Sequence, residues 1–205
     1  MTISFPREIP DVGYTTADFT LSDPVKASQS GARLINYTQI SDPAWVASLV
    51  TRPLVASQYA EVEAWWLSLR GGLQRVLFRH PWFCYPKNHV ANHGPADDAG
   101  NLVSIASGNV LSVNSVDSAL SLVVGDRIGL ERSGRYYVGR LTEISGSGTS
   151  RSLTVEPLPF DTVSAAGAVV RFARPALVMR PVPESFSISR SGRHTIVSFS
   201  LVEGQ

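Results

Sequence analysis

Residues 185–203 read SFSISRSGRHTIVSFSLVE and carry the clearest structural signal in the chain. Apolar residues alternate with polar ones on both sides of Ser191-Gly192, at Phe186, Ile188, Val197, Phe199 and Leu201. Alternation with a period of two around a short turn predicts a β-hairpin with one apolar and one serine-rich face. Because an isolated hairpin is marginally stable in water, we expect this one to complete a larger sheet.

The composition narrows the class of protein. The chain has 205 residues, 43% of them hydrophobic, 17% charged, and a net charge of +1. This excludes an intrinsically disordered chain, and the balanced charge argues against electrostatic capture of nucleic acid. Since Cys84 is the only cysteine, there is no disulfide framework and no multi-cysteine zinc site. The N-terminus MTISFPREIP and the short apolar runs predict neither a signal peptide nor a membrane helix.

One helix is predicted, at about residues 57–70, which read SQYAEVEAWWLSLR. Ser57 is the expected N-cap, and Gly71-Gly72 is the expected stop. Placed at about 100° per residue, the larger apolar side chains form one stripe that should face the core. These residues are Tyr59, Val62, Trp65, Trp66 and Leu69.

A second, thinner stripe lies almost opposite the first, at Ala60, Ala64 and Leu67. Two interpretations remain open. Alanine and leucine are good helix formers and need no partner, or a second surface such as a neighbouring subunit covers them. Together with Arg70, these three residues are our predicted subunit interface.

The rest of the chain is predicted to be mainly β. LQRVLFR at 73–79 reads as a strand, and an aromatic cluster follows between Pro81 and Pro86. Residues 88–101, rich in Asn, Asp and Gly, read as a flexible linker. From there to about residue 180, short Val/Leu/Ile strands alternate with turns, which are predicted at Gly125-Asp126, Ser133-Gly134 and Gly146 to Ser150. About five or six short strands predict an inserted small barrel or sandwich.

No motif predicts catalysis, a cofactor or a metal. His89 and His93 have metal-ligand spacing, but Gly94 and Pro95 argue against the helix that would bring them together. ISGSGTSRS at 144–152 lacks the third glycine of a phosphate-binding loop and reads as a hairpin turn. The serines sit outside any nucleophile elbow, and no local feature favours paired carboxylates.

The aromatic residues are expected to serve the core. Trp65 and Trp66 diverge by about 100° on a helix and cannot stack on one ligand together. Core packing is therefore the preferred interpretation for these two, for Trp82 and for Tyr85, over a platform that binds sugar. Cys84 is expected to be a buried thiol.

Residues 45–86, WVASLVTRPLVASQYAEVEAWWLSLRGGLQRVLFRHPWFCYP, resemble the distal tail (tail hub) proteins of long-tailed bacteriophages and gene transfer agents. The opening SFPREIPD agrees with that family. The resemblance implies a tail-tube-like β-sandwich with one flanking α-helix, formed by residues 1–95 and 181–205. It also implies an inserted small β-barrel, OB-like or similar, at residues 101–180.

The same resemblance implies a structural virion protein with no catalytic residue to transfer. The chain would form a homohexameric ring that joins the tail tube protein to a baseplate hub or central fibre protein. DNA would pass through the lumen only transiently, and the ring would sit at the tail tip after assembly in the bacterial host cytoplasm. A carbohydrate-binding module used in host adsorption is the alternative, and a hydrolase of cell-wall polymers is a weaker third.

Overall fold

The computed structural model describes residues 4–31, 34–160 and 162–204. The protein is mainly β, as predicted. The strands are β1 (Arg7–Glu8), β2 (Tyr14–Ser22), β3 (Val25–Ser30), β4 (Leu34–Gln39), β5 (Ala44–Thr51), β6 (Val76–Arg79), β7 (Gly100–Ala106), β8 (Val110–Asn114), β9 (Arg127–Arg132), β10 (Arg135–Ser145), β11 (Arg151–Glu156), β12 (Val169–Arg171), β13 (Ala176–Pro181), β14 (Ser187–Ser191) and β15 (His194–Glu203). The helices are α1 (Ala56–Ser68) and α2 (Gly94–Asp97), with 3-10 turns at Arg70–Gly72 and Lys87–His89.

The chain divides into two compact units. The first contains the described residues up to Asp11, then Gln74–Met179 and Gly204, and the second contains Val12–Leu73 and Arg180–Glu203. These units are groups of residues that contact one another in the folded chain. The predicted domains, by contrast, are segments expected to fold independently, and they stay a prediction.

The first unit contains a closed barrel with the strand order β10-β11-β8-β7-β12-β9, in which all neighbours are antiparallel. Its six strands fall within the predicted number. The predicted turn at Ser133-Gly134 is confirmed, since these two residues join β9 to β10 with φ of +50° and +75°. The chain enters and leaves the barrel side by side, because Gly100 of β7 pairs with Val170 of β12.

The barrel interior is filled by apolar side chains from every strand. The largest that are almost fully buried are Leu102, Leu111, Ile128, Leu130, Tyr137, Leu141, Leu153 and Phe172. Beside the barrel, the same unit holds β6 between β1, which is parallel to it, and β13, which is antiparallel.

The second unit contains an antiparallel arrangement in which β5 lies between β2 and β15, and β14 pairs with β15. The predicted C-terminal hairpin is confirmed: Ser191 pairs with His194, and Gly192 turns the chain with φ of +60°. Its predicted apolar face is correct for β15, where alternate side chains from Val197 are buried. On β14, Ile188 pairs with Val197 and lies on the same face, although all five side chains of this strand are exposed.

Helix α1 confirms the predicted helix, with a different first turn. Val55 occupies the N-cap, and its N–H donates to Gln58 Oε1 at 3.3 Å, so the prediction that Ser57 caps the helix is wrong. The stop is confirmed, since Gly71 and Gly72 both have positive φ. This conformation suits glycine because it has no Cβ.

The predicted core stripe of α1 faces the sheet of its unit. Val62, Trp65 and Leu69 are buried, while Tyr59 and Trp66 are half-buried. The rings of Trp65 and Trp66 lie 5.4 and 5.6 Å from the ring of Phe199 on β15.

No helix in the described part of the chain has the length and hydropathy needed to span a bilayer.

Strands β3 and β4 form a separate two-stranded sheet, which we call the β-arm (residues 25–39). The arm continues the ribbon made by β2 and β5, whose last pair is Ser22 with Ala44. The N–H of Ile40 donates to the carbonyl of Pro24 at 3.0 Å and connects the two parts of the ribbon. Every arm side chain for which burial is described is exposed.

Candidate functional site

An open pocket of about 490 Å³ lies in the first unit. One side is formed by the segment from Trp82 to His93, and the other by the barrel residues 123–127 together with Arg140. This volume is in the range of small-molecule and peptide side-chain sites. The remaining lining residues are Phe172 and Pro175.

Asp126 ties the two sides of the pocket together. Its carboxylate is buried, and Oδ1 accepts the Lys87 N–H at 2.9 Å while Oδ2 accepts the Val123 N–H at 2.8 Å. Backbone donors from both sides therefore engage both oxygens. The sequence marked this position only as a turn, because a partner 39 residues away leaves no local pattern.

His89 is a second buried link, which joins the segment from Trp82 to His93 to Ser121, just before residues 123–127. Its Nε2 accepts the Ser121 N–H at 2.8 Å, and its Nδ1 lies 3.1 Å from the Asn92 carbonyl. This pattern places the proton on Nδ1. The prediction of a flexible linker at 88–101 is therefore wrong. The segment is folded, with a 3-10 turn at Lys87–His89 and the short helix α2 beginning at Gly94. As predicted, no helix spans both His89 and His93.

His93 has a different role from His89, and the structure does not bring the two rings to a common ion. The His93 ring stacks on Tyr85 with a centroid distance of 3.8 Å, and its Nε2 lies 2.8 Å from the Val90 carbonyl. Within residues 4–31, 34–160 and 162–204, no group of three or more His, Cys, Asp or Glu side chains could hold a metal ion.

Two aromatic side chains at the pocket are exposed. Trp82 is 51% exposed and Phe83 is 59% exposed, so the prediction that Trp82 packs in the core is wrong. The reason is local: His80 is buried, and its Nδ1 accepts the N–H of both residues at 3.1 Å. This tight turn directs the two side chains outwards. Cys84 is half-buried, less than predicted.

The pocket carries more positive than negative charge. Lys87, Arg127 and Arg140 line it, and Asp126 is the one carboxylate among the described residues that line it. The guanidinium of Arg127 lies 5.0 Å from the centroid of the Phe83 ring. Burial first, and then the positive charge of Arg140, lower the pKa of Arg127 to about 10. The site can thus present cations and aromatic faces to one ligand.

No protein-family model matches the chain, and no curated protein matches it.

The predicted interface residues lie on the surface of the second unit. Ala60, Ala64, Leu67 and Arg70 are all exposed, Leu67 to 69%. Ala60, Ala64 and Leu67 lie in α1, where the sequence placed them, whereas Arg70 follows the helix in the 3-10 turn Arg70–Gly72. Whether another subunit covers them stays a prediction.

The β-arm is a second exposed apolar surface in that unit. Val25, Ile35 and Tyr37 are exposed to 43, 54 and 71%. The signal in the sequence is the alternation of Val25 with Ala27 and of Ile35 with Tyr37. It is weak, because the intervening residues in SQSGAR are small or polar and resemble a loop.

Proposed function

We propose that the chain is a structural subunit of a bacteriophage tail, of the distal tail or tail hub type. In this proposal it closes into a homohexameric ring between the tail tube and a baseplate hub or central fibre, and the ring continues the DNA channel. The resemblance of residues 45–86 supports the family. The exposed apolar face of the β-arm is the observation that supports assembly.

The register of the arm explains why that face suits an interface. Residues paired across an antiparallel ladder lie on the same face, and Ala27 pairs with Tyr37 and Gln29 with Ile35. Val25, two residues before Ala27, joins the same face. The opposite face carries Lys26, Thr38, Ser28 and Asn36. An amphipathic two-stranded ribbon with its apolar side in water is marginally stable, so we expect a partner to cover it.

A ring requires two different surfaces on each subunit, because a head-to-tail interface repeats around the axis. The second unit offers both the arm and the α1 stripe of Ala60, Ala64 and Leu67. Small side chains on the stripe allow a neighbouring strand to approach closely. We propose that the arm of one subunit packs on the α1 stripe of the next.

The finer description of the fold belongs to this proposal as well. The sheet and helix α1 of the second unit would form the ring-forming, tail-tube-like sandwich. The closed barrel would be the insert. Its six antiparallel strands agree with a small-barrel insert, OB-like or similar.

The experiment is to measure the mass of the purified full chain by light scattering over a wide concentration range, with electron micrographs for rotational symmetry. We expect a six-fold ring, and Ala64→Glu should reduce the assembly to monomers without changing the unfolding midpoint of the dilute monomer. Ala119→Glu, the same change at an exposed alanine of the first unit, is the matched control. Absence of the protein from purified virions of its phage would contradict the proposal.

Carbohydrate binding is the second candidate, favoured by the exposed Trp82 beside the pocket. Aromatic faces stack on sugar rings, and the pocket is large enough for a short saccharide. A glycan array with the full chain tests it. Binding that disappears in Trp82→Ala would support this candidate, and blank arrays with a folded protein would leave assembly alone.

A further inference from the structure

The pocket has no part in the proposed ring contacts, yet it is built like a binding site. Its sides are held by the Asp126 carboxylate and by His89, as described above. The loop from Gly125 is also fixed to β10, since the Gly125 N–H donates to the Leu141 carbonyl and the Leu141 N–H to the Asp126 carbonyl, both at 2.8 Å. A ligand would therefore meet a surface that is already formed, which lowers the ordering cost of binding.

Most of the pocket surface is apolar and uncovered. Trp82 and Phe83 form one wall, and Val124, 66% exposed, lies on the other. Val90, 65% exposed, and Pro175 add to the apolar lining. Exposed apolar side chains gathered around one depression favour a ligand with an apolar group of its own.

The charged groups of the pocket indicate that the ligand also carries a negative charge. Lys87 and Arg140 are exposed at the pocket, whereas both oxygens of Asp126 are engaged by backbone N–H groups. The positive charges of Arg140 and Arg127 repel each other, and an anion beside them would relieve this repulsion. A neutral saccharide is less well matched, because it needs many acceptors and the Asp126 carboxylate is already engaged by backbone N–H groups.

We propose that the pocket binds an acidic, hydrophobic segment of a partner polypeptide. An apolar side chain of that segment inserts between Trp82 and Val124, and a neighbouring carboxylate pairs with Arg140 and Lys87. A bidentate arginine–carboxylate contact supplies direction, and the aromatic wall supplies most of the buried apolar area. This inference does not depend on ring formation.

The test uses the full chain and a fluorescein-labelled hexapeptide with one phenylalanine between two aspartates, followed by fluorescence anisotropy. We expect saturable binding that weakens about tenfold when the aspartates become asparagines, a difference of about 1.4 kcal/mol. A similar loss should follow when the phenylalanine becomes alanine. A glucuronate disaccharide and a neutral disaccharide, used as unlabelled competitors, should not displace the peptide.

Two pairs of variants locate the site. Arg140→Glu should weaken binding of the peptide at least about tenfold, while Arg132→Glu, an exposed arginine of the same barrel outside the pocket, should change it less than about twofold. Trp82→Ala should weaken binding likewise, and Leu158→Ala, an exposed apolar residue outside the pocket, should not. Equal effects within either pair, no binding at millimolar peptide, or displacement by a disaccharide would overturn the proposal. The oligomeric state, recorded for each variant, separates this outcome from a failure of ring assembly.

Discussion

The barrel and the β-arm are made by the same kind of antiparallel pairing, and they differ in what covers the strands. Each barrel strand has a neighbour on both sides, and inward side chains such as Leu111 and Leu153 are completely buried. Each arm strand has one neighbour, and Ile35 and Tyr37 remain more than half exposed. Pairing alone therefore directs side chains to a face, and burial requires closure or a second layer.

This difference determines which apolar side chains stabilise the fold and which can bind a partner. Burial of apolar area stabilises a fold by about 25 cal/mol per Å², and the barrel buries its apolar side chains within one chain. The apolar side chains of the arm and the pocket wall are still exposed, so a partner can bury them. Substitutions in the three places should therefore have very different effects on unfolding.

The largest effect is expected at Tyr137, which is buried inside the barrel and whose hydroxyl donates to the Pro157 carbonyl. Tyr137→Ala should lower the free energy of unfolding by about 3–5 kcal/mol, since it removes a large side chain from a closed core. Urea denaturation followed by tryptophan fluorescence measures this. A loss below about 1 kcal/mol would show that the barrel core repacks freely.

An intermediate effect is expected at Asp126. Asp126→Ala should cost about 1–3 kcal/mol, because two backbone N–H groups lose their buried acceptor. Faster hydrogen exchange at the amides of Lys87 and Val123 should accompany the loss. Asp117→Ala, which removes an exposed carboxylate bonded to the Ala119 N–H at 2.7 Å, is the control and should cost less. Slow exchange at both pocket amides in Asp126→Ala would show that other contacts hold the wall.

The smallest effect on stability is expected in the arm. Tyr37→Ala should change the free energy of unfolding of the monomer by less than about 0.5 kcal/mol, since little contact is lost from an exposed side chain. The same tyrosine-to-alanine change at Tyr137 provides the comparison. If Tyr37→Ala destabilises the dilute monomer as strongly as Tyr137→Ala, the arm is covered by its own chain and is no partner surface.

Local patterns in the sequence predicted several elements of this structure. The hairpin at 185–203, helix α1 and the turn at Ser133-Gly134 depend on residues that are neighbours in the sequence, and all three are present. The number of barrel strands could be estimated from the same alternation.

The pocket could not be predicted in this way. It exists because Asp126 and His89 bind backbone groups 39 and 32 residues away. Residue type also misled the interpretation of Trp82, because tryptophan is usually mostly buried and only the turn at His80 turns it outwards. Composition likewise made 88–101 resemble a linker, although Ala96 in that segment is completely buried against the barrel core.

The pairing of Gly100 with Val170 has a consequence for any exchange of the barrel against another segment. Opposite residues of an antiparallel pair have Cα atoms about 5 Å apart, so the chain enters and leaves the barrel at the same place. Any exchange of the barrel as one unit would have to include Ala96 and Phe172, which lie just outside this pair in the sequence and are buried in the barrel core.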